Sequence, residues 1–171
     1  MSGGTPPAAA AHRAAPGTVG DVTEHLPPPT PTTPASGRRP RVLFACAHNA
    51  GRSAIAVALA AHRAAGRIEV DSAGTTPDPE PSATTIATLS ELGIDGTGHR
   101  PTAITPERVT AADVVVAMKP GLDLPQLPGV RYETWSLPDP AEWDTDGIRP
   151  LREEIDRRVQ ALIAELTAER R

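Results

Sequence analysis

Residues 42–53 read Val42-Leu43-Phe44-Ala45-Cys46-Ala47-His48-Asn49-Ala50-Gly51-Arg52-Ser53. The stretch opens on four consecutive apolar residues, without the polar alternation of a half-solvated strand. Such a run suits a strand covered on both faces, as at the centre of a parallel sheet. Small residues follow, and from Ser53 to Ala65 the chain is alanine-rich with Ile55, Leu59 and His62 four and three apart, which predicts a helix. Working outward, the alternation repeats. A second strand is expected over 68–72, then a helix over 81–92 with Ile86, Leu89 and Leu92 on one face and Gly93 as its stop. Thr105-Pro106 offers an N-cap followed by proline in a first turn. Strands are expected over 114–118 and 132–137. The last helix carries Ile148, Leu151, Ile155, Val159, Leu162 and Leu166 at spacings of three or four, with Glu153, Asp156 and Arg157 facing outward. This order predicts an α/β fold: an open four-stranded parallel sheet with helices on both faces. Ligands of such sheets bind beyond the carboxyl ends of the strands. Cys46 stands at one.

Cysteine, five residues, arginine and serine between a buried strand and a helix suit the chemistry of a tetrahedral anion. Five residues are about enough to wrap the anion with successive backbone N–H groups, a nest at a helix N-terminus. Ala47, Ala50 and Gly51 let the backbone come close, His48 completes the turn, and Asn49 tolerates left-handed backbone. The same amides and the helix dipole favour a thiolate at Cys46. Arg52 can hold two oxygens at once, and the Ser53 hydroxyl can donate to the sulfur. A lone buried cysteine is commonly just a small apolar residue. The strand before it, the helix after it and the glycine–arginine–serine order favour the functional reading.

Displacing an oxygen from such an anion takes a proton. The candidate donor is Asp139, in Leu137-Pro138-Asp139-Pro140 after the fourth strand. An aspartate before proline is also a common turn residue, so its case depends on its pairing with the Cys46 loop. Tyr132, Trp135 and Trp143 lie near it in sequence and are candidate walls of the site, although aromatics in strands usually serve a core.

The bulk composition narrows the field. The 171 residues carry a formal net charge of −4 and no long basic stripe, against nucleic-acid binding, and no apolar run long enough for a membrane helix. One cysteine excludes an internal disulfide, and no Cys/His cluster has zinc spacing, so no metal site and no bound cofactor are expected. The five histidines are scattered, and each reads first as a surface or loop residue. A reduced, cytoplasmic setting is expected. Residues 1–39 hold eight of the twenty prolines and little that could enter a core, so they read as a disordered tail, with the folded domain over 40–171.

These residues together resemble the low-molecular-weight protein tyrosine phosphatases and the arsenate reductases that share their fold. The resemblance runs from about Arg41 to Leu166. It rests on the Cys46–Ser53 loop, Asp71-Ser72-Ala73-Gly74-Thr75, Ala112-Asp113-Val114-Val115-Val116-Ala117-Met118 and Asp139-Pro140. It implies Cys46 as nucleophile, Arg52 as oxyanion ligand, Asp139 as general acid, and Asn49 and Ser53 as loop supports, with Ser72 acting through Asn49. His48-Asn49-Ala50-Gly51-Arg52-Ser53, Gly93-Ile94-Asp95 with His99-Arg100-Pro101, and Trp135 lean toward the reductases. Ala141-Glu142-Trp143 stands where the phosphatases carry their pocket tyrosines. The thioredoxin-coupled reductases have two relay cysteines after the third strand, whereas this chain has Met118-Lys119-Pro120-Gly121-Leu122-Asp123-Leu124-Pro125. A single thiol cannot close an internal disulfide. The resemblance therefore implies an arsenate reductase fed by an external thiol of the mycothiol type, with a mycoredoxin- or glutaredoxin-like partner. The alternatives are a phosphatase for phosphotyrosine or small aryl phosphates, and, in another class, a non-catalytic anion-binding regulatory domain.

Overall fold

The computed structural model describes residues 37–168. The tail expected over 1–39 lies outside the described residues except for Gly37, Arg38 and Arg39. Of these, Arg38 forks onto Asp113 and Arg39 pairs with Glu69.

Four strands, β1 (Arg41–Cys46), β2 (Glu69–Gly74), β3 (Val114–Ala117) and β4 (Arg131–Thr134), form one sheet in the order β2-β1-β3-β4, every neighbouring pair parallel. The expected fold class is what the chain adopts. β1 is central and fully buried from Val42 on, because its alternate residues enter two cores. Val42, Phe44 and Cys46 join Val114 and Val116 under α1 (Arg52–Ala64), α2 (Ala83–Ser90) and α4 (Thr145–Ala168). Leu43 and Ala45 join Val115 and Ala117 on the other face, covered by the short α3 (Pro106–Ala111) through Val109 and by Leu124 of the following loop. Alanines at 54, 56, 60 and 64 of α1 are buried, which lets that helix lie close to the sheet and to α4.

Several boundaries differ from expectation for local reasons. β2 runs to Gly74 because a parallel bridge from Gly74 to Ala103 carries its pairing on. α2 is shorter than 81–92. Ser82 is its N-cap, and the last turn tightens as Leu92 and Gly93 donate to Leu89 and Ser90 before Gly93 turns with φ of 76°. β4 stops at Thr134. Trp135 still donates to Ala117, but its side chain and that of Leu137 go into the core, and Pro138 follows. The Thr105 cap forms as expected, accepting from Arg108 N at 3.2 Å.

α1 and α4 are also tied on the surface by a forked Arg63–Asp156 pair at 2.9 and 2.7 Å. Hydrogen bonding from Arg63 holds the Asp156 carboxyl below the ordinary aspartate range. A depressed folded value means that the contribution is complete above the unfolded value of about 3.9 and is lost as pH falls through the lower folded one. With the arginine over a third exposed, we expect no more than about 1 kcal/mol. Urea unfolding at pH 7 should show that loss in Asp156→Asn, and the difference from wild type should close as pH falls through the folded value.

Candidate active site

Cys46 ends β1, and Arg52 opens α1; the five residues between them curl rather than run straight. Their carbonyls all point away from the sulfur. Cys46 O accepts from Thr75 N, Ala47 O from Thr76 N, His48 O from Asp78 N, Asn49 O from the His99 ring, and Ala50 O from Ser82 N and Thr85 Oγ1. In a trans peptide the C=O and the following N–H point in opposite directions, and no cis bond occurs among the described residues. With carbonyls 46–50 taken up by the surrounding protein, the N–H groups of Ala47, His48, Asn49, Ala50 and Gly51 point the other way, the orientation that a nest requires. Asn49 N reaches the Cys46 sulfur at 3.2 Å.

The turn depends on Asn49, fully buried at a φ of 54°, in the left-handed region that asparagine tolerates better than most side chains. Its side chain bridges two segments: Nδ2 donates to Ser53 Oγ at 2.8 Å, and Oδ1 accepts from Thr102 N at 2.9 Å. Ser53 Oγ stands 2.8 Å from the sulfur. A thiolate has no proton to give, so in that state the serine hydroxyl is the donor. The sulfur thus has an amide and a hydroxyl within hydrogen-bonding reach, just ahead of the first residue of α1.

For the Ser72 support expected through Asn49, the structure gives position alone. Ser72 is buried on β2, in register with Phe44, while Asn49 is held by Thr102 and Ser53. His99, which the sequence offers both as one of five scattered histidines and within the reductase-like His99-Arg100-Pro101, has a role at the loop that neither reading assigns. Its Nε2–H donates to Asn49 O at 2.7 Å, satisfying a carbonyl that burial would otherwise strand. The same peptide carries the Ala50 N–H, so His99 helps to aim an amide into the nest. The available signal is the His99-Arg100-Pro101 stretch, which precedes Thr102 directly.

Arg52 is 5% exposed, donates to Leu137 O at 3.1 Å and forms no ion pair among the described residues. Arg52 and Cys46 line one cavity of about 120 Å³ together with His48, Ala50, Gly51, Asp78, Ser82, Thr85, Asp139, Pro140, Ala141 and Ile148. The space equals about four water molecules at ~30 Å³ each, enough for the five heavy atoms of a tetrahedral oxyanion. Asp139 is exposed at this cavity, its Oδ1 accepting from Ala141 N at 3.0 Å, so it is both a turn aspartate and a wall of the site. The candidate aromatic walls are elsewhere. Trp135 packs on Phe44, Trp143 leans on the core, and the Tyr132 hydroxyl bonds to Pro125 O and Leu127 N. A wider groove of about 730 Å³ at the opposite end of β1 is lined by Arg39, Arg41, Arg108, Glu69 and Asp71, whose charges already pair with one another. No group of three potential metal ligands is found among the described residues.

Comparison with known proteins agrees with this geometry. The family model "Low molecular weight phosphotyrosine protein phosphatase" matches residues 41–171. A Synechocystis protein named glutaredoxin arsenate reductase is 32% identical over 130 residues, covering 74% of this chain and 98% of its own. The structure of a Corynebacterium glutamicum thioredoxin-dependent arsenate reductase superposes with a TM-score of 0.69 at 36% identity and covers 78% of this chain; the chain spans 64% of that protein's length. A low-molecular-weight tyrosine phosphatase from T. tengcongensis, 24% identical with a TM-score of 0.67 and covering 74% of this chain and 99% of its own, shares the fold.

Gly74 is where two backbones meet. A Cβ there would stand 2.6 Å from Ala47 O and 3.0 Å from Asn49 N. Gly74→Ala must therefore push the loop, at a cost of about 1–3 kcal/mol. Calorimetric titration should show phosphate affinity falling at least tenfold, about 1.4 kcal/mol, with urea unfolding confirming a folded protein. Unchanged affinity would mean that the loop tolerates displacement.

Proposed function

The chain belongs to the low molecular weight phosphotyrosine protein phosphatase family, and we propose that it acts as an arsenate reductase supplied with electrons by an external low-molecular-weight thiol. The observation that carries this is Arg52, a buried guanidinium with no ion pair among the described residues, lining one cavity with a cysteine whose sulfur receives the Asn49 amide. A buried charge without a counter-ion is costly, and a bound oxyanion removes that cost.

In this reading Cys46 is the nucleophile. Its thiolate displaces one oxygen of arsenate, which leaves as water with a proton from Asp139, giving a Cys46–S–arsenate adduct held by Arg52 and by amides 47 to 51. Ser53, Asn49 and, more remotely, Ser72 support the loop. Cys46 is 2% exposed at the floor of the cavity, so the arsenic is the centre that the cavity presents to a second reactant. An external thiolate attacks arsenic from the mouth, forms a new sulfur–arsenic bond and releases the Cys46 thiolate. A second thiol attacks the sulfur of the released thiol–arsenate; arsenic keeps the bonding pair and departs as arsenite, while the two thiols become a disulfide. The protein needs no second cysteine of its own, and it has none.

A thiol of the mycothiol type, recycled by a mycoredoxin- or glutaredoxin-like protein in a cytoplasmic setting, fits this scheme. The matched relatives are named for glutaredoxin and thioredoxin, which supports a thiol reductant more broadly. Arsenate is preferred over an aryl phosphate because, among the described residues, no phenylalanine, tyrosine or tryptophan lines the cavity, and the His48 imidazole is the one aromatic ring an aryl group would meet. Water in place of the thiol would make the same adduct chemistry a hydrolysis.

The deciding experiment sets arsenate with mycothiol and mycoredoxin against p-nitrophenyl phosphate without thiol. Thiol-dependent arsenate consumption that vanishes in Cys46→Ser is expected. Ester hydrolysis without arsenate consumption would assign a phosphatase, and turnover of neither would leave an anion-binding domain. Arg52→Lys should lose more than ~1 kcal/mol of phosphate affinity with its bidentate contact; near-wild-type binding by calorimetry would remove the clamp role. Asp139→Asn should lower turnover while anion binding stays close to wild type, and equal loss of both would make Asp139 structural.

A further inference from the structure

We propose that Asp78 makes the mouth of the cavity select its thiol by charge, admitting uncharged or cationic thiols and disfavouring those that carry a carboxylate. The inference rests on the thiol-coupled reading above. Cys46 lies at the floor, so the second reactant must pass the cavity lining. That lining holds two carboxylates, Asp78 and Asp139, against Arg52 and the His48 ring. Arg52 is committed to the anion. Once the adduct has formed, its arsenate group brings about two negative charges of its own, so the thiol meets a negative field inside a narrow space.

Asp78 is fixed in place by the loop that it guards. Its backbone N donates to His48 O at 3.0 Å, and its carboxylate lies 3.4 Å from His48 Nδ1. That ring nitrogen also reaches Thr76 O at 3.3 Å, so the imidazole is shared between the carbonyl and the carboxylate. The Asp78 side chain is about half exposed and lines the cavity, so it meets solvent and an entering reactant alike. Glu80 and Glu142, both exposed, flank Asp78 and Asp139 in sequence and add charge of the same sign to those segments. A thiol bearing a carboxylate would pay repulsion on entry that a neutral thiol of the same size would not.

The test uses three small thiols of matched size: 2-mercaptoethylamine as cation, 2-mercaptoethanol as neutral and 3-mercaptopropionate as anion. Rates are expressed per thiolate and compared between wild type, Asp78→Asn and Asp78→Lys, so that intrinsic thiol reactivity cancels. Two readouts are taken on the full chain. One is kcat/KM for each thiol with saturating arsenate. The other is discharge of a methyl disulfide on Cys46, in which thiolate attacks the outer sulfur, Cys46 leaves as thiolate and the methyl group departs in the new disulfide. We expect the anionic thiol to gain about tenfold relative to the cationic one in Asp78→Asn, and more in Asp78→Lys. The wild-type preference should fade between 0.05 and 0.5 M salt as the Debye length shortens from about 14 to 4 Å. The same anion-to-cation ratio in all three proteins would overturn the proposal, as would a ratio indifferent to salt. Charge selection in the disulfide readout with no arsenate consumed by any thiol would sink the reductase reading and keep the selective mouth. Arsenate consumption with no charge selection would do the reverse.

Discussion

The Asn49 peptide holds the site in its working shape. One residue in left-handed backbone turns the chain so that carbonyls face the protein and amides face the sulfur. Three separate parts of the fold keep it there: Thr102 on the side-chain oxygen, Ser53 on the side-chain nitrogen and the His99 ring on the carbonyl. None of these bonds is strong alone, at about 0.5–1.5 kcal/mol net. Together they leave a fully buried asparagine with its polar atoms satisfied, and the loop can then point its donors at a ligand without reorganising.

The fold around it supplies rigidity in the right places. β1 is anchored at its start, where Asp113 accepts from Arg41 N and from Arg38, and it delivers Cys46 at its other end between β2 and β3. The segment 102–104 runs beside the end of β2 through the Gly74 bridge, and that is what brings Thr102 and His99 to the loop. On the far side Arg52 bonds to Leu137 O, joining the anion clamp to the segment that carries Asp139. Cys46, Arg52 and Asp139, from two distant stretches of sequence, therefore line one cavity.

Much of this was legible in the residues. Unbroken apolar runs at 42–45 and 114–117 announced buried parallel strands, and the 3.6-residue period of 148–166 announced α4. The Cys46–Ser53 loop could be read because spacing, small residues and flanking elements agree. What could not be read were contacts between segments far apart in sequence. His99 looks like any loop histidine until the 102–104 bridge sets it against Asn49. The close approach of Gly74 to Ala47 O and Asn49 N is likewise a contact between segments that neighbouring residues do not announce. Trp135 was a candidate wall because of its distance from Asp139, but the pleat turned it toward Phe44.

The solitary sulfur at the floor of the cavity has a cost of its own. With no neighbouring thiol to trap a sulfenic acid, peroxide that reached Cys46 would drive it toward oxidation states from which exchange cannot recover it. An oxyanion resting in the loop shields the sulfur, and small reduced thiols in the surroundings repair early damage. The durability of the protein is thereby handed to the metabolism around it: where reducing equivalents run short, the catalyst is spent along with its fuel.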